Sequence, residues 1–343
     1  MTFFQYYIKK VVYNQALNLY KTLKEVSTHD RISIQIQAEE EKMTIQRFTG
    51  VIPPMITPFT ADGAVDHGAF CANVEHWNED ALSGYLVNGS NSETAYLSEE
   101  EKLELLRLTV RHAAPGRLII AGTGIEGLAE TIRFTNACAA LGAQYALVLT
   151  PCYYDSSMNS AALTDYFTRL ADRSDIPILI YNVPKFTHVN IKGDAVKALA
   201  AHPNIVGMKD STGDVPQLAA FKSATAGEDF EIFVGTASAW FPALTLEINA
   251  GIHAVANCAP NACAAVQQAF AAGDTARARD IYQALLPLNT AVTGTYGIAG
   301  LKYAADLLGY TGGTVRCPLQ PLTEAQKQAL KQIVERFKMA NGK

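Results

Sequence analysis

Four absences narrow what this 343-residue chain can be. Its six cysteines, Cys71, Cys138, Cys152, Cys258, Cys263 and Cys317, lie far apart and form no CxxC pair. That argues against a zinc site or a disulfide framework and fits free thiols in a reducing compartment. The seven histidines include no HxxxH or HxH unit, so ligand spacing offers no metal site and none is expected. No block of lysine and arginine could neutralise a row of phosphates, since the net charge of -5 comes from interspersed signs; nucleic acid is set aside as a partner. No apolar stretch reaches the roughly 20 residues a bilayer span needs, because Asp, Asn, Lys or Gly interrupts every run. What is present is a globular composition, 49% hydrophobic, with ample material for a core.

The first 42 residues differ in character from the rest. Residues 1–26 have helix-like apolar spacing, "STHDRISIQIQAEEEK" turns polar, and Met43 then precedes "TIQRFTG". We read residues 1–47 as an N-terminal extension: a helical arm, a non-native upstream segment or a targeting peptide, although the arginine and serine enrichment of targeting peptides is missing. The expected compartment is cytoplasmic, or mitochondrial if residues 1–42 are a targeting segment.

From Gly50 onward eight apolar runs recur: "GVIPPMITPF", "GYLVNGS", "RLIIAGTG", "YALVLTPC", "IPILIYNVP", "IVGMKDS", "FEIFVGT" and "GIHAVANC". Between them lie helix-patterned segments such as "LSEEEKLELLRLTVRHA", where Ser98 can cap a first turn rich in glutamate. Continuous rather than alternating apolar runs mark strands buried on both faces, as in a parallel sheet. Eight such units match a (β/α)8 TIM barrel over residues 48–259, with a C-terminal helical region over 260–343. A doubly wound sheet is the alternative, but its glycine fingerprint is lacking: "AGTGIEG" at residues 121–127 follows the third strand and has the wrong spacing.

In such a barrel the active site forms where the strands end, so residues closing each run become neighbours. Those ends supply Thr57, Asn88, Ser90, Asn91, Thr123, residues 150–154, Tyr181, Lys209, Thr236 and Asn257, a mouth of hydroxyls and amides around one lysine. Period-two alternation puts Ile205, Gly207 and Lys209 on one face and Val206, Met208 and Asp210 on the other. An inward lysine loses hydration, which lowers its pKa and yields a nucleophilic amine suited to Schiff-base formation with a carbonyl. The competing reading is a buried lysine paired with an acid such as Asp210. Tyr181, at the end of the preceding strand, favours chemistry, because a phenol can relay protons when hydroxyl neighbours pass them on. The turn "NGSNSE" offers backbone N–H groups and the Ser90 hydroxyl to a carboxylate, or is an ordinary βα turn. The loops after the seventh and eighth strands lack a glycine-rich phosphate cradle.

"NGSNSE", "TPCYY", "YNVP" and "GMKDSTGD", in this order and spacing, resemble the dihydrodipicolinate synthase and N-acetylneuraminate lyase superfamily of pyruvate-dependent class I aldolases, over roughly residues 48–322. The resemblance implies that Lys209 forms the Schiff base with pyruvate or another 2-oxo acid, with no further cofactor, and that Tyr181 relays protons. Tyr153 is then the tyrosine inserted into a neighbouring subunit, with Tyr154 the alternative. Ser90, Asn91, Ser211 and Thr57 line the substrate, and the assembly is a homotetramer built as a dimer of dimers. Phe186 stands in "YNVPKFTHV" where the dihydrodipicolinate synthases carry a carboxylate-gripping arginine, and a ring cannot supply that bidentate pair. The combination "GSN", "VLTPCYY", "HPNIVGMKDSTGDV" and "GIAGLKYAADLLGYTGG" is most similar to 4-hydroxy-2-oxoglutarate aldolases. The expected activity is therefore a lyase cleaving a 4-hydroxy-2-oxo acid, 4-hydroxy-2-oxoglutarate-like or a 2-keto-3-deoxy sugar acid, to pyruvate and an aldehyde. The alternatives are condensation of pyruvate with aspartate semialdehyde and a silent barrel that only binds 2-oxo acids.

Overall fold

The computed structural model describes residues 48–340 and residue 342; the expected N-terminal extension lies outside the described residues. Eight parallel strands form one sheet: β1 (Gly50–Ile52), β2 (Gly84–Val87), β3 (Leu118–Gly122), β4 (Tyr145–Leu149), β5 (Ile178–Asn182), β6 (Ile205–Asp210), β7 (Glu231–Val234) and β8 (Ala250–Ile252). Their order is β1-β8-β7-β6-β5-β4-β3-β2. The seam between β1 and β2 is joined by Ser83 N–H to Val51 O (2.9 Å), Leu86 N–H to Pro53 O (3.1 Å) and Met55 N–H to Leu86 O (2.9 Å). The expected (β/α)8 barrel is what forms.

The helices begin where the sequence supplies caps. Glu99–His112, the helix after β2, opens with a capping box in which Ser98 Oγ accepts from Glu101 N–H (3.2 Å) and Glu101 accepts from Ser98 N–H (2.8 Å). The Asp66 and Asp214 side chains cap the helices His67–Asn78 and Val215–Ala224. Helix Pro260–Ala271 follows β8 and is tied to the barrel through Trp240 Nε1–H to Cys263 O (3.0 Å). Three further helices come after it, Thr275–Thr290, Gly297–Leu307 and Glu324–Ala340, and their Leu285, Leu288, Leu301, Leu330 and Val334 join the core.

Strand residues split between two apolar layers. Tyr85, Val87, Ile178, Ile180, Met208, Ile232 and Val234 belong to the cluster shared with the helices. Leu86, Leu179, Tyr181 and Phe233, alternating with them, are buried on the lumen side. The expected alternation fails at one step in β6. Ile178 pairs with Ile205 but Leu179 pairs with Gly207, so Val206 is an extra residue, a bulge. Ile205 therefore packs in the helix-side cluster with Met208, and only Gly207 and Lys209 share the lumen face. A Cβ at Gly207 would lie 2.4 Å from Glu231 O, so the close approach of β7 requires glycine here.

The eighth apolar run is a second departure from expectation. Its strand ends at Ile252, and Ala254–Asn257 turn as a 3-10 helix. Asn257 explains the turn, because its side chain accepts from Ile56 N–H (3.0 Å) and donates to Pro54 O and Ala254 O (both 2.9 Å). That clamps the end of β8 across the segment following β1, so Asn257 closes the barrel instead of facing substrate.

Just before this turn, His253 is fully buried against Trp240, and neither ring nitrogen has a hydrogen-bond partner among the described residues. Burial, reinforced by the nearby Lys209 charge, pushes its pKa down to about 3. The folded state thus holds a neutral imidazole. The unfolded chain takes up a proton as pH falls below about 6.5, so stability present above that value is lost between pH 6.5 and 3, by up to about 4–5 kcal/mol. Replacing His253 by Phe is expected to flatten that acid limb of stability, measured as denaturation midpoint against pH; an unchanged slope would contradict the assignment.

Candidate active site

Lys209 ends β6 and Tyr181 stands directly beside it on β5, paired in register. The lysine is 3% exposed, and its Nζ lies 4.4 Å from the centre of the Tyr181 ring. Asp210 points the other way. Its carboxylate accepts from Thr212 N–H (2.7 Å) and Thr212 Oγ1–H (2.6 Å) in the loop that follows and from Gln217 Nε2–H (2.7 Å) on the next helix. Among the described residues no carboxylate forms an ion pair with Lys209. Burial therefore lowers the lysine pKa, an effect the Tyr181 phenol partly offsets. The pairing with an acid weighed from the sequence is absent, and an amine held this way can attack a carbonyl.

Opposite Tyr181, the hydroxyl of Ser90 lies 3.5 Å from the phenol oxygen, at the outer edge of a hydrogen bond. Ser90 opens the 3-10 turn Ser90–Ser92, in which Asn91 is half-buried. Two non-glycine residues with positive φ bracket the turn, Asn88 (60°) and Glu93 (56°). Gly122 lets it approach β3, since a Cβ there would sit 2.2 Å from Asn88 O. Thr57 is fully buried and its hydroxyl donates to Ser92 O (2.9 Å), so it braces the turn from below. Sequence reasoning placed Thr57 against substrate, but its hydroxyl is already engaged by the backbone.

Ser211 donates its backbone N–H to Asn182 O (3.0 Å), while its hydroxyl is buried against Gly235 without a hydrogen-bond partner among the described residues. Tyr153 is 77% exposed and meets the adjacent Tyr154 edge-on at 5.0 Å. Among the described residues no hydrogen bond or ring contact links it to Lys209 or Tyr181. The loop bearing it is fixed by a residue the sequence reading passed over. Glu126 accepts the N–H groups of Cys152 (3.0 Å) and Tyr153 (3.1 Å) and the Cys152 thiol (3.1 Å). Those hydrogen bonds hold the Glu126 carboxyl below its usual range against the opposing effect of burial, while burial and the facing carboxylate push the thiol to about 11. The only sequence signal was an acid set among the glycines of "GTGIEG". Phe186 is 53% exposed, and the neighbouring Lys185 donates to Thr293 O (2.9 Å).

This barrel finds its counterparts among known proteins. The model of the dihydrodipicolinate synthetase family matches residues 47–337. The chain belongs to that family. It is 35% identical to the 4-hydroxy-tetrahydrodipicolinate synthase of Methanoculleus marisnigri, covering 84% of this chain and 98% of the relative. With the synthase of the same name from Ruegeria pomeroyi the identity is 36%, covering 82% and 96%. Among solved structures, the dihydrodipicolinate synthase of Acinetobacter baumannii complexed with pyruvate is similar at TM-score 0.80 and 30% identity, covering 84% of this chain and 99% of that one. The family prophage protein YagE of E. coli K12, also in complex with pyruvate, gives 0.79 and 29%, covering 85% and 99%. The family member described here is thus a pyruvate-dependent class I lyase. Replacing Tyr181 by Phe keeps the ring face for Lys209 and removes the phenol hydroxyl expected to relay protons. Steady-state turnover should fall by roughly 10²–10⁴-fold while borohydride still traps pyruvate on Lys209; wild-type turnover would contradict the relay.

Proposed function

We propose that the protein condenses pyruvate with an aldehyde bearing an amine and a carboxylate, a reading supported by its similarity to proteins named 4-hydroxy-tetrahydrodipicolinate synthase. The observation that carries the chemistry is the buried, acid-free Lys209 against the Tyr181 ring, with the Ser90 hydroxyl 3.5 Å from the phenol oxygen. The neutral amine of Lys209 attacks the C2 carbonyl of pyruvate, and the carbinolamine loses water to give a protonated imine. Loss of a proton from C3 makes an enamine, whose carbon adds to the aldehyde while Tyr181 hands a proton to the forming alkoxide. The acceptor's amine then attacks the imine carbon, and the ring C–N bond forms as the bond to Lys209 breaks and frees its amine. The Ser90/Asn91 turn holds the pyruvate carboxylate throughout.

One observation favours a second reading, reversible cleavage of a 4-hydroxy-2-oxo acid that carries no second carboxylate, such as a 2-keto-3-deoxy sugar acid. Phe186 offers no donor to a second carboxylate, and the Lys185 ammonium beside it is already bound to Thr293 O. In that direction Tyr181 takes the C4 hydroxyl proton as the C3–C4 bond breaks. We also propose that the protein works as a homotetramer in which the exposed Tyr153 enters a neighbouring site, consistent with its exposure and with the grip of Glu126 on its loop.

The test is borohydride trapping of pyruvate followed by peptide mapping, alongside initial rates with two substrate sets. An adduct on Lys209 that is absent from Lys209→Ala is expected, with faster turnover of pyruvate plus aspartate semialdehyde than of 4-hydroxy-2-oxoglutarate or 2-keto-3-deoxy sugar acids. The reverse ranking would replace the synthase by the lyase reading, and no adduct would sink both.

A further inference from the structure

Behind the turn that bears Ser90 lies a knot of charge contributed by the far end of the chain. The side chains of Lys302, on helix Gly297–Leu307, and Glu93 are 1% and 0% exposed, and the ammonium lies 2.5 Å from Glu93 Oε1. The other carboxylate oxygen accepts the backbone N–H of Arg316 (2.8 Å). Lys302 also donates to Thr314 O (2.6 Å), and its ammonium and the Arg316 guanidinium both lie over the Phe59 ring, at 4.4 and 4.2 Å. Arg316 in turn makes a two-pronged pair with Glu101 (2.8 Å each) and binds Gly63 O and Tyr96 O. Asp306, the remaining acid near Lys302, accepts from Gly312 N–H (2.7 Å).

Stability is a poor explanation for such a pair. Removing two charges from water costs several kcal/mol per ion, and apolar residues of the same volume commonly serve as well or better. What the pair does supply is geometry. Glu93 sits at φ 56°, a left-handed conformation that a non-glycine residue adopts only at a cost in backbone strain. That conformation ends the turn whose first residue is Ser90, with Glu93 N–H donating to Ser90 O (3.3 Å). The same turn is pinned from the barrel side by Thr57 on Ser92 O and by Ser92 Oγ on Met55 O (2.6 Å). One fixed point lies at Ser92 and the other at the Glu93 carboxylate, and together they hold the backbone of the turn that carries Ser90.

We propose that the buried pair between Lys302 and Glu93 is a positioning device, through which the C-terminal helices set the orientation of the Ser90/Asn91 turn that receives the substrate carboxylate. The proposal rests on the carboxylate role given to that turn above. Lys302 touches no reacting atom; it acts through Glu93.

The experiment compares wild type, Lys302→Met, Glu93→Gln and the double variant for thermal midpoint, pyruvate KM and kcat, with borohydride trapping on each. Lys302→Met leaves a buried carboxylate without its cation and should lower the midpoint and raise pyruvate KM roughly 10-fold or more, with kcat changed much less. In the double variant no buried charge is left unmatched, so the midpoint should recover while KM stays high. That split is the signature of positioning, and the double variant carries the test even if Lys302→Met does not fold. A KM that returns to wild type together with the midpoint would make the pair merely structural and overturn the proposal. So would an unchanged KM in a folded single variant whose wild-type parent forms the Lys209 adduct. Absence of the adduct in wild type would overturn the pyruvate reading itself, and this inference with it.

Discussion

The site depends on one unbalanced burial. Lys209 gives up its hydration at the lumen end of β6 and receives an aromatic face in return, while the acid beside it in sequence turns outward to the loop and helix that follow. A ring face attracts an ammonium by about 1–2 kcal/mol, far less than an ion pair at the same depth would. The amine is therefore held where its neutral, nucleophilic form is favoured. Placing a carboxylate within reach would restore the charge and remove the chemistry.

Much of the surrounding architecture maintains that condition. The bulge at Val206 sets the phase of the last residues of β6, so that Lys209 enters the lumen while Ile205 packs against the helices. Gly207 lets β7 approach, and Asn257 clamps the ends of β1 and β8 together. On the far side of the mouth, Thr57 and the buried pair of Lys302 and Glu93 brace the turn that faces Tyr181. Lys209 and Tyr181 come from strand ends, while the turn opposite them is bound by residues as distant in sequence as Lys302 and Arg316.

The parts legible in the sequence were those with a local signature. Strands buried on both faces read as unbroken apolar runs, and the Ser98 cap was visible because its partner Glu101 lies three residues on. The neighbouring of Lys209 and Tyr181 followed from consecutive strands ending side by side. The bulge was invisible, because one extra residue in an apolar run leaves composition and pattern unchanged. Thr57 and Asn257 looked like mouth residues for the same reason that Ser90 did, each a polar group ending an apolar run, and only the closed ring shows that their polar atoms already have backbone partners. Lys302 did leave a trace, as a lysine on the apolar stripe of "GIAGLKYAADLL", but its partner Glu93 lies too far along the chain for any periodic pattern to connect them.

The most direct test of the central claim is a titration of Lys209 itself. Its side chain can be followed by NMR in protein labelled with ¹³C at lysine Cε, the signal assigned by its loss in Lys209→Met. The account predicts a titration midpoint clearly below the ordinary lysine value of 10.5. A midpoint at or above 10.5 would mean that the ammonium is compensated in the fold, and would contradict the claim that burial prepares this lysine as a nucleophile.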